Sequence, residues 1–378
     1  MDMRFRQAIH SVESYVAGKT IEELRREFPG LRSRPVKLAS NEHPFGPSPK
    51  ALAAVRGILK DLHRYPEPTS LLLRRRLARA NSVSEDQIVC GSGADDLLRL
   101  AVETFVDAGD TVVMSRHAFP RFKQNVQLMA GKAIEVPMAG LTHDLAAMAQ
   151  SAIRLRAKAV FIANPNNPTG TYNAKAQVVD FLNSLKTALR PDDLPWVVLD
   201  EAYREFALDA VKDYPDSVPT LLRLYPRLLV VRTFSKIMGL AGLRVGYAVA
   251  SDTETIVMIN RARLIFNVSS VAQVATLAAL SDRAHVKATL AAVREGRAYL
   301  SKQLTALGFV VTPSVTNFIF VRCRQGSGKD LYERLLRKGV IIRPMRTAGL
   351  EDHVRISVGS ARDNARLVAA LKESVSWS

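Results

Sequence analysis

Six short apolar runs constrain the fold of this 378-residue chain more than any other feature. IVCG (88–91), TVVMS (111–115), KAIEVP (132–137), AVFIAN (159–164), WVVLD (196–200) and LLVVRTFS (228–235) carry β-branched and aliphatic residues without strict alternation. A strand with one wet face alternates apolar and polar residues, whereas a strand buried on both faces does not. Helical patterns such as AQVVDFLNSLKTAL separate several of the runs. Together they predict an α/β domain with a mostly parallel sheet, helices on both faces and ligand groups at the carboxyl ends of the strands.

The flanking regions have a different rhythm. TIEELRREF reads as a short helix that ends at Pro29-Gly30, and Thr20 with Glu23 forms a capping-box signal. LASNEHPFGPSP (38–49) is irregular, and ALAAVRGILKDL and LLLRRRLARAN follow as amphipathic helices. Beyond about residue 260 a long helical region, Ser270 to Leu307, precedes NFIFVRC, the helix DLYERLLRKG, the strands VIIRP and VRISVG, and a last helix near Arg362. We expect a large domain over 38–265 and a smaller α/β domain made of 1–37 with 266–378.

The chain is basic, with 53 Lys and Arg against 36 Asp and Glu, a formal charge of +17. The basic residues are spread along the chain, and the densest group, Arg74 to Arg76 with Arg79, lies on a helix. Nucleic-acid binding is therefore not expected; a field that draws in small anions fits better. Cys90 and Cys323 form no CxxC pair, so no metal site is expected. No run of 18 uncharged apolar residues exists, so a soluble, cytoplasmic protein without membrane association is expected.

Four segments carry chemistry. GSGADD (91–96) places two glycines between a strand and a helix whose first N–H groups suit a phosphate, although a plain strand-to-helix turn looks the same. NPNNPTG (164–170) is a rigid loop presenting Asn167. DEAY (200–203) leaves Asp200 at the end of a buried strand, where a carboxylate must be paired or hydrogen-bonded; a helix cap or a metal ligand is the alternative. In SKIMGLAGLRVGY (235–247) Lys236 directly follows an apolar strand, where desolvation and nearby cations lower the amine pKa and make it nucleophilic.

In this order and spacing the four segments resemble the fold type I aminotransferases that hold pyridoxal 5'-phosphate, with similarity over nearly the whole chain. The resemblance implies a large domain with a mostly parallel seven-stranded sheet and a smaller α/β domain. It implies Lys236 as the lysine that binds the cofactor covalently and moves the substrate proton. Asp200 is implied as the partner of the ring nitrogen, and Asn167 and Tyr203 as donors to the ring hydroxyl oxygen. Ser235, Arg244 and the backbone of Gly93, Ala94 and Asp95 correspond to the phosphate cup, and Phe119 to the aromatic ring stacked on the cofactor.

Further segments are similar to histidinol-phosphate aminotransferases: Tyr15 to Leu24, Leu38 to Pro47, RYPE (64–67), FNVSS (266–270) and VRISVG (354–359). This similarity implies transamination between histidinol phosphate and 2-oxoglutarate, with ping-pong kinetics, in a homodimer where Tyr65 reaches the cofactor phosphate of the other subunit. Arg355 is implied to take the glutamate carboxylate and Arg343 the substrate phosphate. Asn41 and Asn317 line the pocket in this picture, and Tyr15 helps close it. The chain departs from the family pattern at Phe119, where Tyr is common, and at His43, Ile265 and Asp96, where Asn, Pro and Glu are usual. An aromatic or broad-specificity aminotransferase and a threonine-phosphate decarboxylase share most of these motifs. The effector domain of a transcription regulator shares the fold, but only about 35 residues precede Leu38 here.

Overall fold

The computed structural model describes residues 5–14, 16–31, 34–346 and 349–374. Strand β1 (Val36–Lys37) precedes the main-sheet strands β2 (Ile88–Gly91), β3 (Thr111–Ser115), β4 (Lys132–Val136), β5 (Ala159–Ala163), β6 (Trp196–Asp200), β7 (Leu228–Thr233) and β8 (Gly246–Ala250). Their order across the seven-stranded sheet is β2-β8-β7-β6-β5-β3-β4. Strands β7, β6, β5, β3 and β4 are parallel, while β8 runs against both β2 and β7. Six of these strands coincide with the apolar runs of the sequence. The seventh, GYAVA, lies in the tail of SKIMGLAGLRVGY, where glycines and Arg244 hide a five-residue strand.

The sheet is buried on both faces, as the missing alternation requires. One face packs Val113, Val160, Ile162, Val197, Leu199 and Val230 under a helical layer that includes Leu145–Arg154 and Lys175–Ala188. The other packs Val112, Phe161, Val198, Leu229 and Val231 against the helix Ala94–Phe105. That helix buries Leu97, Leu98, Leu100, Ala101, Val102 and Phe105, a stripe of i, i+3, i+4 spacing that fixes its N-terminus at the end of β2. Full burial of each Val or Leu stabilises the fold by about 1.5–3 kcal/mol.

A second core sits beyond the carboxyl ends of these strands. Strands β9 (Val310–Thr312), β10 (Phe318–Arg322), β12 (Arg343–Pro344) and β13 (His353–Ser357) form an antiparallel sheet in the order β12-β13-β10-β9, and β11 (Val340–Ile341) pairs in parallel with β1. The run VIIRP is therefore divided between two sheets. Phe318, Val321, Leu335, Val354 and Leu367 fill this core, and Tyr203, Phe206 and Ile237 from the large-sheet side enter it.

One expectation changes. The long helix over Ser270–Leu307 is two helices, Ser270–Ala279 and Arg283–Ala306, because the Asp282 carboxylate accepts the His285 N–H at 3.3 Å and starts a new helix. Val268, Ala272, Ala275 and Ala279, on and just before the first of these helices, pack in the first core. Among the described residues no helix is long and apolar enough to cross a membrane.

Candidate active site

The site gathers where β6 and β7 end against the second core. Asp200 closes β6 at 7 % exposure, and its Oδ1 accepts the Ala202 N–H at 3.0 Å. Burial raises its carboxyl to about 7, and the charges of Glu201 and Asp95 add to the rise while Lys236 opposes it. Three residues beyond β7, Lys236 donates from Nζ to the Ser40 carbonyl at 3.2 Å and lies 5.8 Å from the centre of the Tyr203 ring. Desolvation lowers the Lys236 amine to about 8, with Arg355 and Arg244 adding to the effect and Glu42 and Asp200 opposing it. Burial thus moves a carboxylate up and an amine down, both toward neutral pH, the direction that proton transfer near neutral pH favours.

Tyr203 is buried, and its hydroxyl accepts from Asn41 Nδ2 at 2.9 Å. Asn41 adopts a left-handed φ of 53°, and its backbone N–H donates to Ser357 Oγ at 2.7 Å. Asn317 Nδ2 donates to the Asn41 carbonyl at 3.1 Å. Asn167 accepts from Arg355 Nη1 through Oδ1, and Arg355 Nη2 donates to the Ala39 carbonyl at 2.7 Å. Its guanidinium also lies 5.4 Å over the Phe318 ring. The loop that presents Asn167 has cis peptides before Pro165 and Pro168, and Asn164 clamps the Asn173 backbone through both amide atoms.

The helix Ala94–Phe105 starts at Gly93 without a side-chain cap, which leaves its first N–H groups facing the loop of Arg244. Gly93 has φ +83°, and a Cβ there would stand 2.5 Å from Arg244 Nη2. Only glycine allows this approach of a guanidinium to a helix N-terminus. Ser235 is held by a 2.9 Å hydrogen bond from Thr233 Oγ1. Helix N–H groups beside an arginine suit an anion. The Asp95 side chain itself is engaged elsewhere, with Arg121 at 2.9 Å.

Arg343 and Arg355 are direct cross-strand partners on β12 and β13. Like charges directly opposite each other destabilise a strand pair. Arg343 Nη2 donates to the Val16 carbonyl at 2.6 Å, and Gly18, Lys19, Tyr332 and Arg346 share a small pocket with it.

The other sequence candidates have contacts of their own. Tyr65 is 82 % exposed and stacks on Phe266 at 4.6 Å, beside the exposed Leu264 and Ile265. Phe119 precedes the helix Pro120–Leu128 and meets Phe122 edge-on at 6.1 Å. Tyr15 lies outside the described residues. His43, one of the departures from the family pattern, is committed to the helix Arg283–Ala306: Nδ1 accepts the Phe45 N–H, Nε2 bonds Thr289 Oγ1 at 2.9 Å, and the ring stacks on His285. Burial, with His285 beside it, lowers His43 to about 4.

Glu201, Arg204, Tyr214, Asp216 and Arg232 were not among the candidates, yet they form a charged network behind Asp200. A signal existed: Arg232 is the one charged residue in the apolar run LLVVRTFS.

A family model described as Aminotransferase class I and II matches residues 33–371, and the chain belongs to that family. It is 44% identical over 364 residues to a histidinol-phosphate aminotransferase of Anaeromyxobacter sp. (strain Fw109-5), covering 96% of each chain. Histidinol-phosphate aminotransferase 1 of Nitrosococcus oceani is 42% identical over 364 residues, covering 96% of this chain and 95% of the relative. The solved structure of the histidinol-phosphate aminotransferase from Sinorhizobium meliloti in complex with pyridoxal-5'-phosphate matches with a TM-score of 0.88. That match has 31% identity and covers 99% of this chain and 98% of the other.

Proposed function

We propose that this aminotransferase moves an amino group from histidinol phosphate to 2-oxoglutarate, giving imidazole-acetol phosphate and glutamate, with pyridoxal 5'-phosphate as cofactor. The observation that carries the substrate reading is the in-register pair Arg343 and Arg355, with Arg355 hydrogen-bonded to Asn167 at the edge of the Lys236 cluster. Two guanidiniums side by side suit a reaction whose partners carry a phosphate in one half and a carboxylate in the other. The similarity to histidinol-phosphate aminotransferases over nearly the full chain supports the same reading.

The residues present fit the cofactor. The Gly93 cradle, which a Cβ would fill, offers N–H groups of Ala94 and Asp95 with Ser235 and Arg244 for a phosphate. Asp200 is the carboxylate for a ring nitrogen, Tyr203 and Asn167 are donors for a ring hydroxyl oxygen, and Lys236 is the amine for an aldehyde. When bound, the cofactor supplies the electron sink for the pair left by breaking the substrate Cα–H bond. Lys236 Nζ takes that proton and returns it, which its lowered pKa permits near neutral pH. Asp200 holds a proton on the ring nitrogen, and Arg355 orients the α-carboxylate of glutamate.

The same reading assigns a cytoplasmic homodimer in which the exposed Tyr65, with Leu264 and Ile265, faces a second copy and completes its phosphate cup. It also assigns a large cofactor-binding domain and a smaller one that carries Arg343 and Arg355. An absorbance spectrum of the purified protein tests the cofactor: a visible band that disappears in Lys236→Ala is expected, and protein that takes up no cofactor refutes it. Comparing kcat/KM for histidinol phosphate, phenylalanine, tyrosine and leucine tests the substrate, and a preference for any of the last three overturns it.

A further inference from the structure

We propose that Arg232 is a positioning residue that acts on Asp200 through Glu201: its buried guanidinium cancels the field that the adjacent Glu201 carboxylate would otherwise place on Asp200 from behind the sheet. This rests on the reading of Asp200 as the partner of the cofactor ring nitrogen.

The placement follows from strand geometry. The Glu201 N–H donates to the Val231 carbonyl at 2.8 Å, so the ladder between β6 and β7 continues one residue past Asp200. Asp200 is in register with Val231, which sets Glu201 beside Arg232 on the face opposite Asp200. Glu201 is 1 % and Arg232 2 % exposed, so neither is placed to meet a substrate.

Every polar direction of the pair is engaged. Arg232 donates from Nε to Glu201 Oε2 at 2.8 Å, from Nη2 to Asp216 Oδ1 at 2.8 Å, and from Nη1 to Asn81 Oδ1 at 2.6 Å and the Tyr247 hydroxyl at 3.3 Å. Glu201 Oε1 accepts the Ser217 N–H at 2.9 Å and lies 3.5 Å from the Tyr214 hydroxyl. Asp216 is gripped by Arg204 through two 2.6 Å hydrogen bonds, and Glu205 lies 3.6 Å from the same arginine. Well-packed apolar residues often stabilise a buried position as well as an ion pair does, so the pair is weak evidence for a purely stabilising role.

Glu201 is adjacent in sequence to Asp200, and its charge acts on that carboxylate through a dry interior, where Coulomb interactions are strong. Alone it would favour a protonated Asp200, and the facing guanidinium offsets it. The other charges that face Asp200 are Lys236 on the loop after β7 and Asp95 on the helix Ala94–Phe105; Lys236 in turn faces Arg355, Arg244 and Glu42. Behind the pair stand Arg204, Asp216, Glu205, Tyr214 and Tyr247.

The test reads the pH midpoint of the visible absorbance of the bound cofactor in the holoenzyme. Removing a negative charge lowers nearby pKa values, and removing a positive one raises them. Glu201→Gln should therefore lower the midpoint and Arg232→Met raise it, each by about 0.5–1 pH unit, and the double variant should return close to wild type. Arg232→Lys, which keeps the charge, should leave the midpoint in place. A pair that only packs the interior would lower the Tm without moving the midpoint, or move it the same way in both single variants; either result overturns the proposal. Should Arg232→Met fail to fold, Glu201→Gln decides alone, and an unmoved midpoint refutes the pair's role. A wild-type protein that binds no cofactor refutes the function proposed above instead.

Discussion

The two sheets contribute to the active site in opposite ways. The ends of β6 and β7 hold Asp200 and Lys236 in a desolvated setting that shifts both toward neutral pH, over a fully packed interior. The small sheet offers Arg343 and Arg355, partly exposed and bonded to main-chain carbonyls of Val16 and Ala39. A carbonyl is a neutral acceptor that an incoming carboxylate or phosphate readily outcompetes for a guanidinium. On the proposed reading, proton chemistry belongs to the rigid floor, and anion recognition to a wall whose contacts can be exchanged.

The sharpest way to break this contrast is Lys236→Ala. It should lower kcat by roughly 10⁴-fold with the fold intact by circular dichroism; a loss of tenfold or less would remove the lysine from the proton transfer. Next, Arg343→Ala should cost histidinol phosphate about 2–4 kcal/mol in kcat/KM while phenylalanine loses far less. Equal losses for both donors would mean that the wall does not discriminate phosphate.

The floor should also show itself without turnover. Asp200 has a raised folded-state pKa, so its contribution to stability is fully present below about pH 4 and is lost as pH rises through about 7. Urea unfolding of the cofactor-free protein should therefore show stability falling over that window by an amount on the order of a few kcal/mol relative to Asp200→Asn. Parallel curves for the two proteins would place Asp200 in a wetter setting. Gly93→Ala should weaken cofactor retention and cost about 1–2 kcal/mol, from the φ of +83° and the approach to Arg244; cofactor titration and thermal melts read both. The smallest effect belongs to His43→Asn, about 1 kcal/mol of stability from the lost Thr289 contact. Its ratio of kcat/KM for histidinol phosphate to phenylalanine should not change, and a changed ratio would give His43 a part in substrate selection.

Much of the floor is legible in the sequence because its signals are local. Six apolar runs mark six strands, and DEAY and SKIMGLAGLRVGY fall at strand ends, where a parallel sheet exposes its ligands. The strand β8 escapes because burial of Gly246 to Ala250 depends on neighbours distant in sequence, and the break at Asp282 depends on a cap that a continuous helical pattern conceals. The wall is less legible, since Arg343 looks like any surface arginine until its strand is paired with that of Arg355.

Sequence alone thus pointed to the mostly parallel sheet and, through motif resemblance, to Lys236, Asp200, Tyr203 and Arg244 as candidates, because hydrophobic pattern and motif spacing are properties of short segments. Tertiary structure decided what those groups experience. The desolvation of Asp200, the pairing of Glu201 with Arg232, the turning of His43 toward a helix and the register of Arg343 with Arg355 all arise between residues far apart in the chain. Electrostatic strength depends on such distances and on the dielectric between them, and only the packed fold sets either.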